Sequence, residues 1–178
     1  MKHRIAFLVV AVLLIAVIII YPGSRKIEKT IEATEYSFTD PDYAAIHIIT
    51  VKGYDTRNLL GQGHYEGAFA IEDWEVAQEG WKLSARFPVP DTLLNASAVH
   101  PSGYHISTDI MCLLPNRDWT SFVAIVQTVE DIGDHRHCSF SPATDGFIVS
   151  GTLTREEALA VAYRLSKGTA LEPLFATP

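Results

Sequence analysis

The chain has 178 residues, of which 48% are apolar and 20% charged, and it carries a net charge of -7 at neutral pH. That apolar share suits a packed globule and excludes a disordered polyelectrolyte. The negative balance argues against nucleic acid as a partner and against docking on anionic lipid, and it sharpens past the first four residues: without Lys2 and Arg4, 12 basic side chains face 21 acidic ones.

The first element is the uncharged run Ile5–Tyr21, 17 residues behind the basic start Met1-Lys2-His3-Arg4. As a helix rising about 1.5 Å per residue it would span about 26 Å, just enough for a hydrocarbon core of about 30 Å. A cleaved signal peptide needs small residues at its end. The bulky Val17-Ile18-Ile19-Ile20-Tyr21 stands there instead, and no Cys follows for lipid attachment. Residues 1–21 are therefore expected to be an uncleaved anchor, with the membrane as partner through Ile5–Tyr21. Basic residues flank both sides: Lys2 and Arg4 before, Arg25, Lys26 and Lys29 after. The basic start before an apolar run sets the expected orientation, with the N-terminus inside and the C-terminal domain outside the cell membrane.

Residues 22–36 read as a stalk, whose opening Pro22–Lys29 has Pro, Gly, Ser and charges but no apolar period. Residues 37–170 are then one extracytoplasmic domain of ordinary size, and 171–178 a tail. Ala44–Val51 is a β-branched strand. Leu59-Leu60-Gly61-Gln62-Gly63 is a turn, and His64–Trp74 alternates with Tyr65, Gly67, Phe69 and Ile71 on one face. Trp81–Phe87 is a further strand, Asp91–Ser102 an irregular excursion, and Tyr104–Leu114 and Ser121–Glu130 two more strands. Asp131–His137 reads as a polar turn and Gly146–Ser150 as a last short strand. Thr154-Arg155-Glu156-Glu157 fits a capping box, and Ala158, Val161, Ala162 and Leu165 form one apolar stripe before Gly168. The expected fold class is α+β: a mostly antiparallel sheet with one C-terminal helix packed on it, preceded by a transmembrane helix.

Candidate chemistry is sparse. His135 and His137, in Asp134-His135-Arg136-His137-Cys138, would share one side of an extended segment and are suitable ligands for a transition metal. The spacing matches no standard zinc pattern, and a solvated turn rich in Asp and Gly explains the same residues. His64, His100 or His105 could complete such a site from elsewhere, whereas His47 reads as a packed or edge residue. Cys112 and Cys138 form either a disulfide, as an extracytoplasmic domain allows, or two buried thiols. Gly61-Gln62-Gly63-His64-Tyr65-Glu66-Gly67 has the outline of a dinucleotide loop, but Glu66 takes the last glycine's place and the segment enters a strand. Asn95-Ala96-Ser97 is a formal glycosylation sequon. Trp74, Trp81 and Trp119 line a groove or pack as core; Asp40, Asp42 and Asp73 read as turn and strand-end residues. No cofactor motif is present, and no catalytic residue can be assigned.

Three pieces together resemble small uncharacterised membrane-anchored proteins of Gram-positive bacteria: the anchor with its basic flank, the strand Tyr65-x-Gly67-x-Phe69-x-Ile71, and Gly146-Phe147-Ile148-Val149-Ser150 followed by Thr154-Arg155-Glu156-Glu157-Ala158. The resemblance would cover residues 43–167 and implies fold and placement only, with no catalytic residues. The expected function is a single-pass, extracytoplasmic binding, accessory or sensor module that meets an unidentified protein or envelope partner at the cell envelope. The alternative is a metal-dependent extracytoplasmic hydrolase built on the Asp134–Cys138 turn.

Overall fold

Ile27, Ala33 and the half-buried Ile31 alternate with Lys26, Glu28, Thr30 and Glu32, and this period of two makes the expected stalk the longest strand of the protein, β1 (Arg25–Ser37). The structure is a computed structural model that describes residues 7, 8, 10–15, 17, 21, 23–72, 82–88, 95–99, 102, 105, 106, 108–132 and 135–176. The strands that follow are β2 (Ala44–Asp55), β3 (Gly63–Ile71), β4 (Lys82–Phe87), β5 (Ala96–Val99), β6 (His105–Ile106), β7 (Ile110–Pro115), β8 (Phe122–Val126), β9 (Thr128–Ile132), β10 (His135–Ser139) and β11 (Gly146–Ser150). Two helices end the chain, α1 (Arg155–Ser166) and α2 (Glu172–Phe175).

Nine strands form one sheet in the order β6-β5-β4-β3-β2-β1-β11-β8-β7, antiparallel at every step, while β9 and β10 form a separate two-stranded sheet. The mostly antiparallel sheet is thus as expected. Its flanks curl until β5 packs against β7, which makes the sheet nearly a barrel. The buried Asn95 spans the seam: its side chain accepts from the Leu113 backbone N–H and donates to the Leu113 carbonyl, each at 2.8 Å, and its backbone N–H donates to the Met111 carbonyl at 3.3 Å. A nearly closed sheet leaves few unpaired strand edges.

Inward-facing residues fill the interior, among them Ile49, Val51, Tyr65, Phe69, Ile71, Leu113, Phe122 and Ile148. An eight-stranded barrel is just wide enough for side chains to fill it, and these bulky groups do so. One end is floored by a polar cluster. Arg57 makes a forked contact to Asp55, donates to the carbonyls of Pro115 (3.1 Å) and Asn116 (3.0 Å), and lies 4.6 Å from the centre of the Phe87 ring. Trp119 donates its indole N–H to Asp55 at 2.8 Å and packs on Tyr65 with ring centres 4.6 Å apart. Trp119 has a φ of 57°, uncommon for a bulky residue, and this turns its ring into the barrel floor.

A second core lies on the outer face of β7, β8 and β11. There Met111, Cys112, Val123, Ile125, Phe147 and Val149 meet Ala158 and Ala162 of α1. The capping box of α1 is formed as expected, with Thr154 accepting from the Glu157 N–H and Glu157 accepting from the Thr154 N–H. The expected tail instead carries α2, because Leu171 and Phe175 complete this apolar layer. The excursion 91–102 contains β5, and the polar turn 131–137 is the end of β9 and the start of β10.

Of the N-terminal run, residues 7, 8, 10–15 and 17 are helical and their apolar side chains are largely exposed. Residues 5, 6, 9, 16 and 18–20 lie outside the described set. No helix among the described residues is long and apolar enough to cross a membrane.

Candidate functional site

A groove lies on the outer face of β2 and β3, and it begins with two glycines. Gly53 and Gly67 are direct register partners. A Cβ on Gly53 would lie 2.6 Å from the Gly67 Cα, and one on Gly67 only 2.4 Å from the Gly53 Cα. Any larger residue would push the two strands apart. From the inside the Tyr65 ring covers the pair, and its hydroxyl donates to the Ala68 carbonyl at 2.7 Å. Burial pushes the Tyr65 phenol far above its ordinary value, so it stays a protonated donor.

On the outside lies a cavity of about 670 Å³, lined by Lys26, Lys52, Tyr54, Thr56, His64, Glu66 and Lys82 with the two glycines and Ala68. A neighbouring depression of about 580 Å³ shares His64 and Glu66 with it and runs on over Ser84, Arg86 and Val99. The charges are paired: Lys26 to Glu28 at 2.8 Å, Lys52 to Glu28 at 3.4 Å, Lys82 to Glu66 at 2.8 Å. Their mutual hydrogen bonds raise the ammonium of Lys26 above its usual range and lower the Glu28 carboxyl, and Glu66 does the same for Lys82. These pairs are exposed, so a partner can exchange for them at little cost. His64 shares a hydrogen at 3.0 Å between its Nδ1 and the Thr56 hydroxyl.

A second polar cluster sits at the opposite end of β1 and β2. Glu35 accepts from the Tyr43 hydroxyl at 3.1 Å and lies 3.0 Å from His47 Nε2. A depression of about 250 Å³ beside it is lined by Glu35, Ser37, Asp40, Tyr43, Thr144, Asp145 and Gly146. Burial, then the Glu35 charge, raises the Tyr43 phenol. Glu35 and His47 stand two positions apart across the β1–β2 ladder, the ordinary geometry of a diagonal cross-strand pair.

Of the residues marked in the sequence, His64 lies in the groove. His135 and His137 fall on β10, opposite Ile132 and Glu130; His137 is exposed, while Asp134 and the side chain of His135 lie outside the described residues. Among the described residues no three His, Cys, Asp or Glu side chains come together as a metal site. The possible Cys112–Cys138 bridge is not formed: both are free thiols, Cys112 buried under α1 and Cys138 half-buried on the separate hairpin. Burial pushes the Cys112 thiol up to about 12, which leaves it unreactive. Trp119 is floor rather than groove; Trp74, Trp81, Asp73 and His100 lie outside the described residues, as does the side chain of His105. Asp40 is a turn residue, accepting from the Asp42 N–H at 3.0 Å. Asn95 is buried with both donor and acceptor engaged, so its sequon cannot carry a glycan in the folded state.

The groove lysines belong to no sequence motif. The available signal was Gly53 and Gly67, small residues on the inward faces of two strands otherwise filled by bulky groups. No protein-family model, curated protein or solved structure matches the chain.

Proposed function

We propose that this chain is a membrane-held binding module at the outer side of the cell envelope, an accessory or sensor subunit whose partner lies along the outer face of β2–β4. The observation that carries this reading is the contrast between inside and outside. The barrel interior is filled, and among the described residues every buried side-chain polar atom has a hydrogen-bond partner. The outer face instead offers a groove of about 670 Å³ with an aromatic ring, three lysines and exchangeable acid–base pairs. Alternating positive and negative groups suit a polypeptide segment of mixed charge better than a small ligand of one sign. The apolar run Ile5–Tyr21 behind a basic start supports attachment and orientation. The resemblance to small anchored proteins of Gram-positive bacteria supports the same placement.

The test places a photo-activated cross-linker at Ala68, on the exposed groove face, and at Glu156, on the exposed side of α1, in the full chain in cells. A discrete cross-linked species from position 68, absent from position 156 and lost with Lys52→Glu and Lys82→Glu together, is expected. Equal products from both positions, or none from position 68, would overturn the assignment of this face.

A further inference from the structure

The apolar run ends at Tyr21 and β1 begins at Arg25, with only Pro22, Gly23 and Ser24 between them. Four backbone steps reach at most about 14 Å. Whatever lies at the Arg25 end of the barrel is therefore held close to the plane in which the run ends. Arg25 pairs with Asp55, the last residue of β2, so the loop 56–62 leaves the barrel at this same end. The β7–β8 loop arrives there too: Arg25 donates to the Arg117 carbonyl at 3.3 Å, Lys29 to the Asp118 carbonyl at 2.6 Å, and Arg117 to the Asn58 carbonyl at 3.5 Å.

The tip of loop 56–62 is Leu59-Leu60, two adjacent leucines 53% and 63% exposed. Hydrogen bonds define the turn that carries them. The buried Asn58 side chain accepts from the N–H of Leu60 and of Gln62, each at 2.9 Å, and Gly61 takes a φ of 80° to close the turn. Arg117 touches this loop at Asn58, Arg25 touches Arg117, and Lys26 and Lys29 follow on the same end of β1. The nearby acids are Asp118, Glu28 and Asp55; Glu28 is engaged by Lys26 and Lys52, and Asp55 by Arg57. This end is basic although the whole chain is acidic. An exposed apolar tip inside a basic rim, tethered beside an apolar run, has the chemistry of a surface that enters a bilayer interface with anionic headgroups.

We propose that the floored end of the barrel docks on the membrane surface, with Leu59 and Leu60 inserted at the headgroup level and Arg25 and Arg117 against anionic lipid. The proposal rests on the anchoring proposed above. It gives the domain one fixed pose, with the Glu35–His47 end of the barrel farthest from the bilayer: β1 alone, at about 3.3 Å per residue, spans about 40 Å from Arg25 to Ser37.

The experiment uses the full chain in vesicles of phosphatidylglycerol and phosphatidylcholine containing nitroxide-labelled lipid. A polarity-sensitive fluorophore is attached to Leu60→Cys or, as control, to Ala143→Cys on the far end, in a Cys138→Ser background where Cys112 stays buried. Expected are co-flotation with the vesicles, a blue shift and quenching by the nitroxide at position 60, and neither at position 143. Replacing Leu59 by Ser should reduce the quenching at 60, and so should vesicles of phosphatidylcholine alone. Co-flotation with positions 60 and 143 behaving alike would overturn the docking and leave the anchor standing. A blue shift at 60 without nitroxide quenching, growing with protein-to-lipid ratio, would assign the tip to a second copy and overturn the lipid assignment. Failure to co-float would remove the anchor, and the docking with it.

Discussion

The side-chain amide of Asn95 pairs with both backbone groups of Leu113, accepting from its N–H and donating to its carbonyl at 2.8 Å each, in the way a neighbouring strand residue would. Its Nδ2 also donates to the Arg86 carbonyl at 3.1 Å, so one buried amide ties β4 to β7 across the gap in the sheet. β5 and β7 meet at the sheet's flanks without a regular ladder between them, and beside this side chain the Asn95 backbone N–H donates to the Met111 carbonyl at 3.3 Å.

Asn95→Ala should open this seam. It strands the N–H and carbonyl of Leu113 in a buried setting, at on the order of 1–3 kcal/mol for each unsatisfied group. Chemical denaturation of the variant should show a loss of that size, and hydrogen exchange should rise first at Leu113. A variant as stable as the parent would show that the seam contributes nothing.

Asp55 and Arg57 are both largely buried, and removing one leaves the other's charge uncompensated. Asp55→Ala should cost about 3–5 kcal/mol. The pH dependence has a definite sign. Burial raises the Asp55 carboxyl, but the hydrogen bonds from Arg57 and Trp119 outweigh it and hold the group below its ordinary value. A carboxylate lowered in the folded state stabilises above its unfolded value of about 3.9, and that contribution fades as pH falls through the folded value. The stability gap between the parent and Asp55→Asn should therefore be largest near neutrality and narrow as pH falls below about 3.9. Urea titrations across that range check it, and a gap constant with pH would contradict the ion pair's role.

Gly67→Ala places a methyl 2.4 Å from the Gly53 Cα and the Lys52 carbonyl, which are backbone atoms that cannot swing aside. The strain of overpacking is on the order of 1–3 kcal/mol or more. Tyr65→Phe, which loses the hydroxyl's bonds to the Ala68 carbonyl and the Lys52 backbone, should cost about 1 kcal/mol. The ordering of these two losses, read from thermal melts, separates the steric role of the glycines from the polar role of the tyrosine.

The thiols should differ in kinetics. Cys138 is partly exposed and should react with a small thiol reagent in the native protein, whereas Cys112, buried and with its thiol pushed up to about 12, should react only on unfolding. Two thiols titrated in denaturant, one of them native-accessible, is the expected count; none in denaturant would establish a Cys112–Cys138 bridge.

Much of the sheet was legible because its inward face is regular. Tyr65, Gly67, Phe69 and Ile71 alternate cleanly, and β3 follows that pattern; Gly146–Ser150 coincides with β11, and Thr154 with Glu157 marks the start of α1. β1 was hidden because its buried face carries only Ile27, Ile31 and Ala33 among eight charged or hydroxyl side chains before Tyr36 (Arg25, Lys26, Glu28, Lys29, Thr30, Glu32, Thr34 and Glu35), so it looked like a stalk. α2 was hidden because four residues give no period. The groove and the floor were illegible for another reason: Gly53 with Gly67, Asp55 with Trp119, and Asn95 with Leu113 are meetings across the sheet, and single-sequence patterns report only local spacing.

The most direct measurement is the placement of the domain in living cells. The full chain carrying Ala143→Cys, with Cys138→Ser to leave one accessible thiol, is treated with a membrane-impermeant thiol reagent before and after lysis, and the membranes are washed at alkaline pH. Reaction in intact cells, with the chain retained in the washed membrane, is the expected result. Reaction only after lysis, or release of the chain by the wash, would contradict a membrane-held domain on the outer side.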